Sequence, residues 1–144
     1  MKNALLLLLL LTGCASGAQD DPNAPNITFH LNQYETATNA YTYNGALNLT
    51  FALSMTNTTN QPVKVSRIEI RTIGSGAFTI RSTSTPINTD LGPGESKTMP
   101  LSLWGYARGG QLSSTEPVTI RGTAYLTGPS GSFLRLFSEY ITPQ

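Results

Sequence analysis

The sequence has very few of the side chains from which catalytic and metal sites are usually built. It contains one cysteine, Cys14, and one histidine, His30, among 144 residues. A single cysteine excludes an internal disulfide, so the folded domain must be stabilised by its core. One histidine is too few for a zinc site with several nitrogen and sulfur ligands, and a Ser-His-Asp arrangement has only His30 to use. We therefore expect His30 to be a surface side chain on an edge strand.

Charged residues are also scarce, at 12% of the chain. Without Lys2, which lies in the leader described next, the nine basic residues become eight and balance the eight acidic ones. This balance, with no basic patch, argues against a nucleic-acid partner. The glycines at 92–94 and 105–110 lack the spacing of a phosphate-binding loop. Asp20 and Asp21 lie in a polar segment, and the other carboxylates are dispersed: Glu35, Glu69, Asp90, Glu95, Glu116 and Glu139. We predict no catalytic residue, no metal site and no cofactor.

The first 14 residues are typical of a secreted, lipid-modified protein. Lys2 precedes an apolar run at 4–11, of which seven residues are leucine, and Thr12-Gly13-Cys14 follows. A basic start, a short apolar run and small residues make a signal peptide over 1–13. The segment 11–14 resembles the lipobox of bacterial lipoproteins. That resemblance implies a diacylglyceryl group on the Cys14 thiol, cleavage before it, and membrane attachment through the acyl chains.

Two alternatives to lipidation fit this leader less well. A transmembrane helix needs about 20 apolar residues, whereas the run at 4–11 is much shorter. An ordinary cleaved signal would leave Cys14 as a free, oxidisable thiol near the new terminus. Residues 14–25 are small, polar and interrupted by proline, which predicts a flexible tether of about 35 Å when extended. The residue after the cysteine is Ala15, and by resemblance to the sorting rule of bacteria with two membranes the protein is expected in the outer membrane, facing the periplasm.

The remainder, 26–144, has the pattern of an all-β domain. Apolar and polar residues alternate at 47–55, 96–104 and 118–126, as in half-buried strands. At 63–73 the apolar residues change parity, which predicts a β-bulge near Ser66 and Arg67. We predict a short strand at 77–81, a loop at 82–89, a sheet edge or bulge at Pro100 and one helical turn around Leu112. With segments 27–31 and 132–141, this gives about seven strands in an antiparallel sandwich of immunoglobulin or fibronectin-III type.

The order of strands and turns resembles a known family. The turn NTTNQP (57–62), the strand VKVSRIEI (63–70), the turn LGPGE (91–95) and the strand VTIRGTAYL (118–126) occur in sequence. They look like the type 2 late-embryogenesis-abundant domain, also called the water-stress and hypersensitive-response domain, over about 29–141. The resemblance implies an immunoglobulin- or fibronectin-like sandwich without catalytic residues.

Two surface features have both a functional and an ordinary interpretation. Six basic residues lie mostly on the polar parity of strands: Lys64, Arg67, Arg71, Arg81, Arg121 and Arg135. They form either a positive face for an acidic ligand or a solvated face paired with residues such as Glu69 and Glu139, and the balanced charge favours the second interpretation. Trp104 and Tyr106 either form a recognition patch or close one end of the core; the second is more common and is our prediction.

These observations favour a non-enzymatic envelope lipoprotein whose sandwich is an interaction, scaffold or protective module. Its partners would be the membrane, through Cys14, and an envelope protein that the sequence does not identify. The alternative is a binding protein for a small apolar or lipid ligand, which would need a cavity between the sheets. A carboxylate hydrolase is a third class and would need two acidic side chains converging in a cleft.

Overall fold

The computed structural model describes residues 25–34, 44–107 and 116–142, and these form two four-stranded antiparallel sheets. The eight strands are β1 (Ile27–Gln33), β2 (Gly45–Asn57), β3 (Val63–Ile73), β4 (Phe78–Thr79), β5 (Thr83–Leu91), β6 (Ser96–Ala107), β7 (Val118–Gly128) and β8 (Gly131–Ile141). The first sheet has the order β1-β2-β6-β4, and the second has the order β5-β3-β7-β8. The described residues contain no helix. The predicted helical turn around Leu112, the leader and most of the tether lie outside these ranges.

The sheets share one apolar core, to which each strand contributes alternate residues. Leu49, Phe51 and Leu53 of β2 have no exposed surface, and Ile120 and Leu126 of β7 are at most 1% exposed. Because alternate residues of a strand point to opposite faces, one parity of each strand enters the core and the other faces solvent. The arrangement is therefore all-β and sandwich-like, as the alternation predicted.

The parity change in β3 is accommodated by the predicted bulge. The register of β3 shifts between Val65 and Arg67 against both β5 and β7. As a result Val63, Val65, Ile68 and Ile70 are all buried on one side of the strand. A bulge adds one residue to a strand and so restores a common face to apolar residues of opposite parity.

The predictions of about seven strands and of a loop at 82–89 are wrong. The structure has eight strands, and β5 occupies Thr83–Leu91. This strand lies at a sheet edge, so only Ile87 and Leu91 are buried and the alternation is weak. It also contains Pro86 and a left-handed residue, Asn88, at φ 48°. Proline is tolerated at a sheet edge, where its missing N–H needs no partner.

The strands around β4 differ from prediction in extent. The short strand expected at 77–81 is reduced to Phe78–Thr79, although Phe78 and Ile80 are both buried as expected. β4 pairs with β6 only at Ala107 and Tyr106. Within the described ranges β6 thus has no strand partner beside Pro100 on the side away from β2, which is the sheet edge predicted from that proline.

Candidate functional site

The outward side of the first sheet carries exposed aromatic side chains at one end. Trp104 is 70% exposed, Tyr106 is 52% exposed and Tyr34 is 49% exposed. The prediction that Trp104 and Tyr106 close the core is therefore wrong. Leu101 and Leu103 of β6 face inward, so residues 104 and 106 of the same strand have the outward parity.

Gly105 fixes this orientation from the buried side of β6. A Cβ atom there would lie 2.6 Å from Leu49 Cδ1 and 3.2 Å from the Thr79 carbonyl oxygen. A side chain at the inward position between the two aromatic residues would therefore have to displace Leu49, which is fully buried. A shift of register that turned Trp104 inward would place an indole against this packed surface.

The aromatic residues share their surface with neutral hydrogen-bonding side chains. The strand register places Asn48 opposite Trp104, Thr50 opposite Ser102, and Ala46 opposite Tyr106. The Tyr34 backbone N–H donates to the Thr50 carbonyl at 2.9 Å, which puts Tyr34 in the Thr50 row. We call this surface the aromatic face, and it consists of Tyr34, Asn48, Thr50, Ser102, Trp104 and Tyr106.

Beside the aromatic face, a groove of about 620 Å³ follows the edge of β6. It is lined by Thr79, Arg81, Thr83, Trp104, Gly105 and Tyr106. Thr79 ends β4 and Thr83 begins β5, so the groove lies where the chain passes from one sheet to the other. Arg81 is the one charged residue among these lining side chains.

Hydroxyl groups on the same sheet behave differently at its two ends. Far from the aromatic face, Ser54 pairs with Thr98, and Thr56 pairs with Ser96, each with an oxygen–oxygen distance of 2.9 Å. Within the aromatic face, the side chains of Asn48, Thr50 and Ser102 make no hydrogen bond to any part of the chain that the structure describes.

The end of the tether lies at the opposite end of the domain from the aromatic face. The Arg135 guanidinium donates to the Pro25 carbonyl from Nη2 at 2.9 Å and from Nε at 3.2 Å. Ile27 then pairs with Asn57, whereas Trp104 pairs with Asn48. Nine residues of β2 separate these rows, which corresponds to about 30 Å along the strand.

The second sheet carries charge on its outward side, and part of that charge is paired. Arg67 Nη1 lies 2.6 Å from Glu69 Oε1, and its guanidinium carbon is 3.5 Å from the centre of the Tyr125 ring. Arg71 and Arg121 face each other directly across β3 and β7, beside a surface concavity of about 290 Å³. Cross-strand pairs with basic residues were expected for Glu69 and Glu139, but Glu69 pairs with an arginine of its own strand and Glu139 pairs with His30.

His30 lies on the edge strand β1 and is exposed, as predicted. Its Nδ1 is 2.9 Å from Glu139 Oε1 on β8, the facing edge of the second sheet. Next to it, Phe29 stacks on Phe137 with ring centres 5.2 Å apart. These contacts join the two sheets at this edge. Ser54 lies opposite His30 in the strand register, but its hydroxyl pairs with Thr98 and makes no hydrogen bond to the imidazole among the described residues.

Glu95 is held by the turn that precedes β6. The Gly92 N–H donates to Glu95 Oε2 at 2.6 Å, and Lys97 Nζ lies 3.2 Å from Oε1. The hydrogen bond from Gly92, followed by the interaction with Lys97, holds the pKa of Glu95 below its usual range. A carboxylate with a lowered pKa stays ionised near neutral pH and is a poor general acid.

No group of three or more His, Cys, Asp or Glu side chains in the described ranges is placed to hold a metal ion. Cys14, the predicted lipid attachment site, lies outside those ranges. The described residues also include no helix long and apolar enough to cross a membrane.

The core leaves little room for an apolar ligand between the sheets. Phe51, Leu53, Ile68 and Ile120 each have 0% exposed surface. A void large enough for a water molecule would leave accessible surface on the side chains that line it, and these four line none. The alternative function, which needs an internal cavity, gains no support from this part of the core.

Comparison with known proteins gives the fold and no family. No family model matches the chain, and no curated protein matches it. The ApaA protein from Bordetella pertussis has a similar structure, with a TM-score of 0.52, 14% identity, and coverage of 87% of this chain and 98% of that one. The structural-genomics target SoR45 has a TM-score of 0.50 at 12% identity, with 85% of each chain covered. At such identities the likeness extends to the fold alone.

Proposed function

We propose that the protein is a lipid-anchored, non-catalytic interaction module of the bacterial cell envelope, facing the periplasm from the outer membrane. The lipobox-like segment ending at Cys14 supports the anchor. The strand orders β1-β2-β6-β4 and β5-β3-β7-β8 support a sandwich of the fibronectin-III type, in which two antiparallel sheets pack face to face. The resemblance to the type 2 late-embryogenesis-abundant domain agrees with this topology.

The position of the aromatic face is the observation that carries the proposal. A cluster of exposed aromatic residues on one surface is typical of an interaction site, because aromatic residues dominate the energetics of recognition surfaces. Here they lie about 30 Å from the end of the sheet where the tether is bound by Arg135. A tether that leaves from one end presents the aromatic face away from the membrane.

The described ionisable groups support binding over catalysis. Glu69 contacts Arg67, Glu139 contacts His30, and Glu95 contacts a backbone N–H. A general acid or base needs a proton position that a substrate can reach and a pKa near the working pH. These three carboxylates are instead held by a contact within one strand, a contact between the two sheets and a contact within a turn.

The anchor is tested with Cys14→Ala. We expect wild-type protein to partition with membranes and to carry acyl chains on Cys14 by mass spectrometry, because each buried methylene contributes about 0.8 kcal/mol. The variant should appear as uncleaved precursor or as released protein. An unmodified Cys14 in the mature wild-type protein would remove the anchor from the proposal.

The interaction surface is tested by photocrosslinking in cells. A benzophenone amino acid replaces Trp104 in one strain and Thr98, on the same strand near the other end, in a second strain. Crosslinked products that form at 104 and not at 98 would support a partner at the aromatic face. Equal crosslinking at both positions, or none at 104, would contradict it.

A further inference from the structure

We propose that the aromatic face binds an uncharged glycan chain. The inference rests on the proposed function, because it names the chemistry of the partner that the interaction module would recognise. Three features carry it: the spacing of the rings, the unpaired neutral polar groups between them and the distribution of charge over the two sheets.

The rings are spaced to contact several sugars. Trp104 and Tyr106 are two residues apart on β6, which separates them by about 7 Å. Tyr34 follows β1, two strands from β6, and is displaced by two residues along the strand direction, which places it about 12 Å from Trp104. A pyranose ring presents C–H groups on its faces, and these bury apolar surface against an aromatic ring. Three rings at such distances contact an extended chain at separate sugars, whereas a single small ligand would reach only two of them.

The polar groups between the rings match sugar hydroxyls. Asn48 offers two donors and one carbonyl acceptor, and Thr50 and Ser102 each offer a donor and an acceptor. Their side chains are unpaired within the described residues, whereas hydroxyls elsewhere on the sheet pair with each other. A sugar hydroxyl both donates and accepts, so it satisfies side chains of this kind without requiring charge.

The distribution of charge on the protein surface favours a neutral glycan over an anionic ligand. On the outward parity of the first sheet the described residues include no Lys, Arg, Asp or Glu, and His30 lies at the far edge beside Glu139. Within the adjoining groove the charged side chain is Arg81. An anionic polymer would be expected to meet several cations, as the outward face of the second sheet with Arg71 and Arg121 would provide. The aromatic face provides one, at its margin.

The chain contains a built-in probe for this binding. Trp104 is the single tryptophan, so intrinsic fluorescence reports on the aromatic face alone. Acylated mature protein, extracted in a detergent without a sugar headgroup, is titrated with chitohexaose into the millimolar range. We expect a blue shift of the emission and protection from acrylamide quenching, because stacking removes the 70%-exposed indole from water.

Variants identify the surface. Tyr106→Ala should weaken chitohexaose binding by about tenfold, the effect of losing one aromatic anchor worth about 1.4 kcal/mol. The matched control is Tyr140→Ala, which removes a 72%-exposed tyrosine from the second sheet and should leave the affinity unchanged. Arg81→Gln should change the affinity less than threefold. Equal losses for Tyr106→Ala and Tyr140→Ala would overturn the assignment.

Fluorescence titrations with other probes distinguish between classes of ligand. A fluorescence response to a polygalacturonate hexamer but not to chitohexaose, abolished by Arg81→Gln, would replace the neutral glycan with an anionic one. A response only to phosphatidylglycerol vesicles would make the surface a membrane contact. No response to any probe would overturn the glycan inference. In that case crosslinking of a protein at position 104 would still leave the proposed interaction module standing, so the two failures are distinguishable.

Discussion

Replacing Asn57 by alanine should remove the polar contact that holds together three chain segments at the tether end of the domain. Asn57 is a buried polar residue with 0% exposure. Its Nδ2 donates towards the carbonyl oxygens of Gln61 at 2.7 Å, Gly92 at 3.0 Å and Leu91 at 3.1 Å. Because an amide has two hydrogens, at least one is shared between two of these acceptors. The side chain thereby ties the end of β2 to the turn before β3 and to the end of β5.

The expected loss follows from which groups can be hydrated again. On the other side of the amide, Oδ1 accepts from the Thr59 N–H at 3.0 Å and from its hydroxyl at 2.7 Å. Gln61 and the Thr59 hydroxyl lie near solvent, so water replaces part of those bonds. The Leu91 carbonyl is buried, and leaving it without a donor costs about 1–3 kcal/mol. With the partial loss of the other bonds, at about 1 kcal/mol each, we expect Asn57→Ala to destabilise the domain by about 3–4 kcal/mol.

The assay is urea unfolding followed by far-ultraviolet circular dichroism, since the one tryptophan is already exposed in the folded state and its fluorescence is a poor reporter. Asn48→Ala is the matched control, because Asn48 lies on the same strand with its side chain exposed, and its loss should stay within about 0.5 kcal/mol. Asn57→Asp keeps the Oδ1 acceptor but replaces the Nδ2 donor with an oxygen that faces the three carbonyl oxygens. Its buried carboxyl should have a raised pKa, so this variant should be more stable at acid pH and lose stability as the pH rises. A loss at Asn57 no larger than that at Asn48 would refute the reasoning.

Three further results are expected. Gly122→Ala should destabilise the domain by about 1–3 kcal/mol, because the added Cβ would overlap the Phe137 ring. In the control Gly128→Ala, the added Cβ would meet its nearest atom at 3.5 Å, so this variant should have little effect. Equal unfolding midpoints for the two variants would contradict this. Glu95→Gln should reduce the loss of stability at acid pH. The pKa of Glu95 is lower in the folded state than its unfolded value near 4.5, so the carboxylate contributes stability above the unfolded pKa that is lost as the pH falls through the folded pKa. An unchanged loss of stability at acid pH would be inconsistent with the turn contact. Phe51→Ala should cost about 3–5 kcal/mol in urea unfolding, and a loss below 1 kcal/mol would mean that the two sheets do not pack around this side chain.

Alternation within a strand was sufficient to predict the core. In β2 the inward set was evident from the sequence, and the parity change in β3 predicted the bulge between Val65 and Arg67. Both inferences use only the two-residue period of a strand, which is a local property. The edge strand β5 was missed for the same reason, since a strand that buries only Ile87 and Leu91 has little alternation to detect.

The candidate site depends on information that no single strand contains. The exposure of Trp104 and Tyr106 could have been inferred by continuing the parity of Leu101 and Leu103, but the frequency with which aromatic residues close a core favoured the opposite prediction. Tyr34 joins them only through the pairing of β1 with β2. The register between strands is set by the whole sheet, so the sequence of each strand alone could not predict that these residues lie on one surface.

The two ends of the first sheet use their polar groups in different ways. At the tether end, Ser54 bonds to Thr98 across the strands, and Asn57 saturates the turn carbonyls. Cross-strand hydroxyl pairs of this kind contribute about 0.2–1 kcal/mol each, so their formation is favourable wherever the side chains allow it. At the other end, Asn48 faces Trp104 with no such partner among the described residues, and the rings beside it remain in water. The exposed rings and polar side chains of the aromatic face therefore contribute little to folding stability. Such a composition is expected where a ligand supplies the missing hydrogen bonds and apolar contacts.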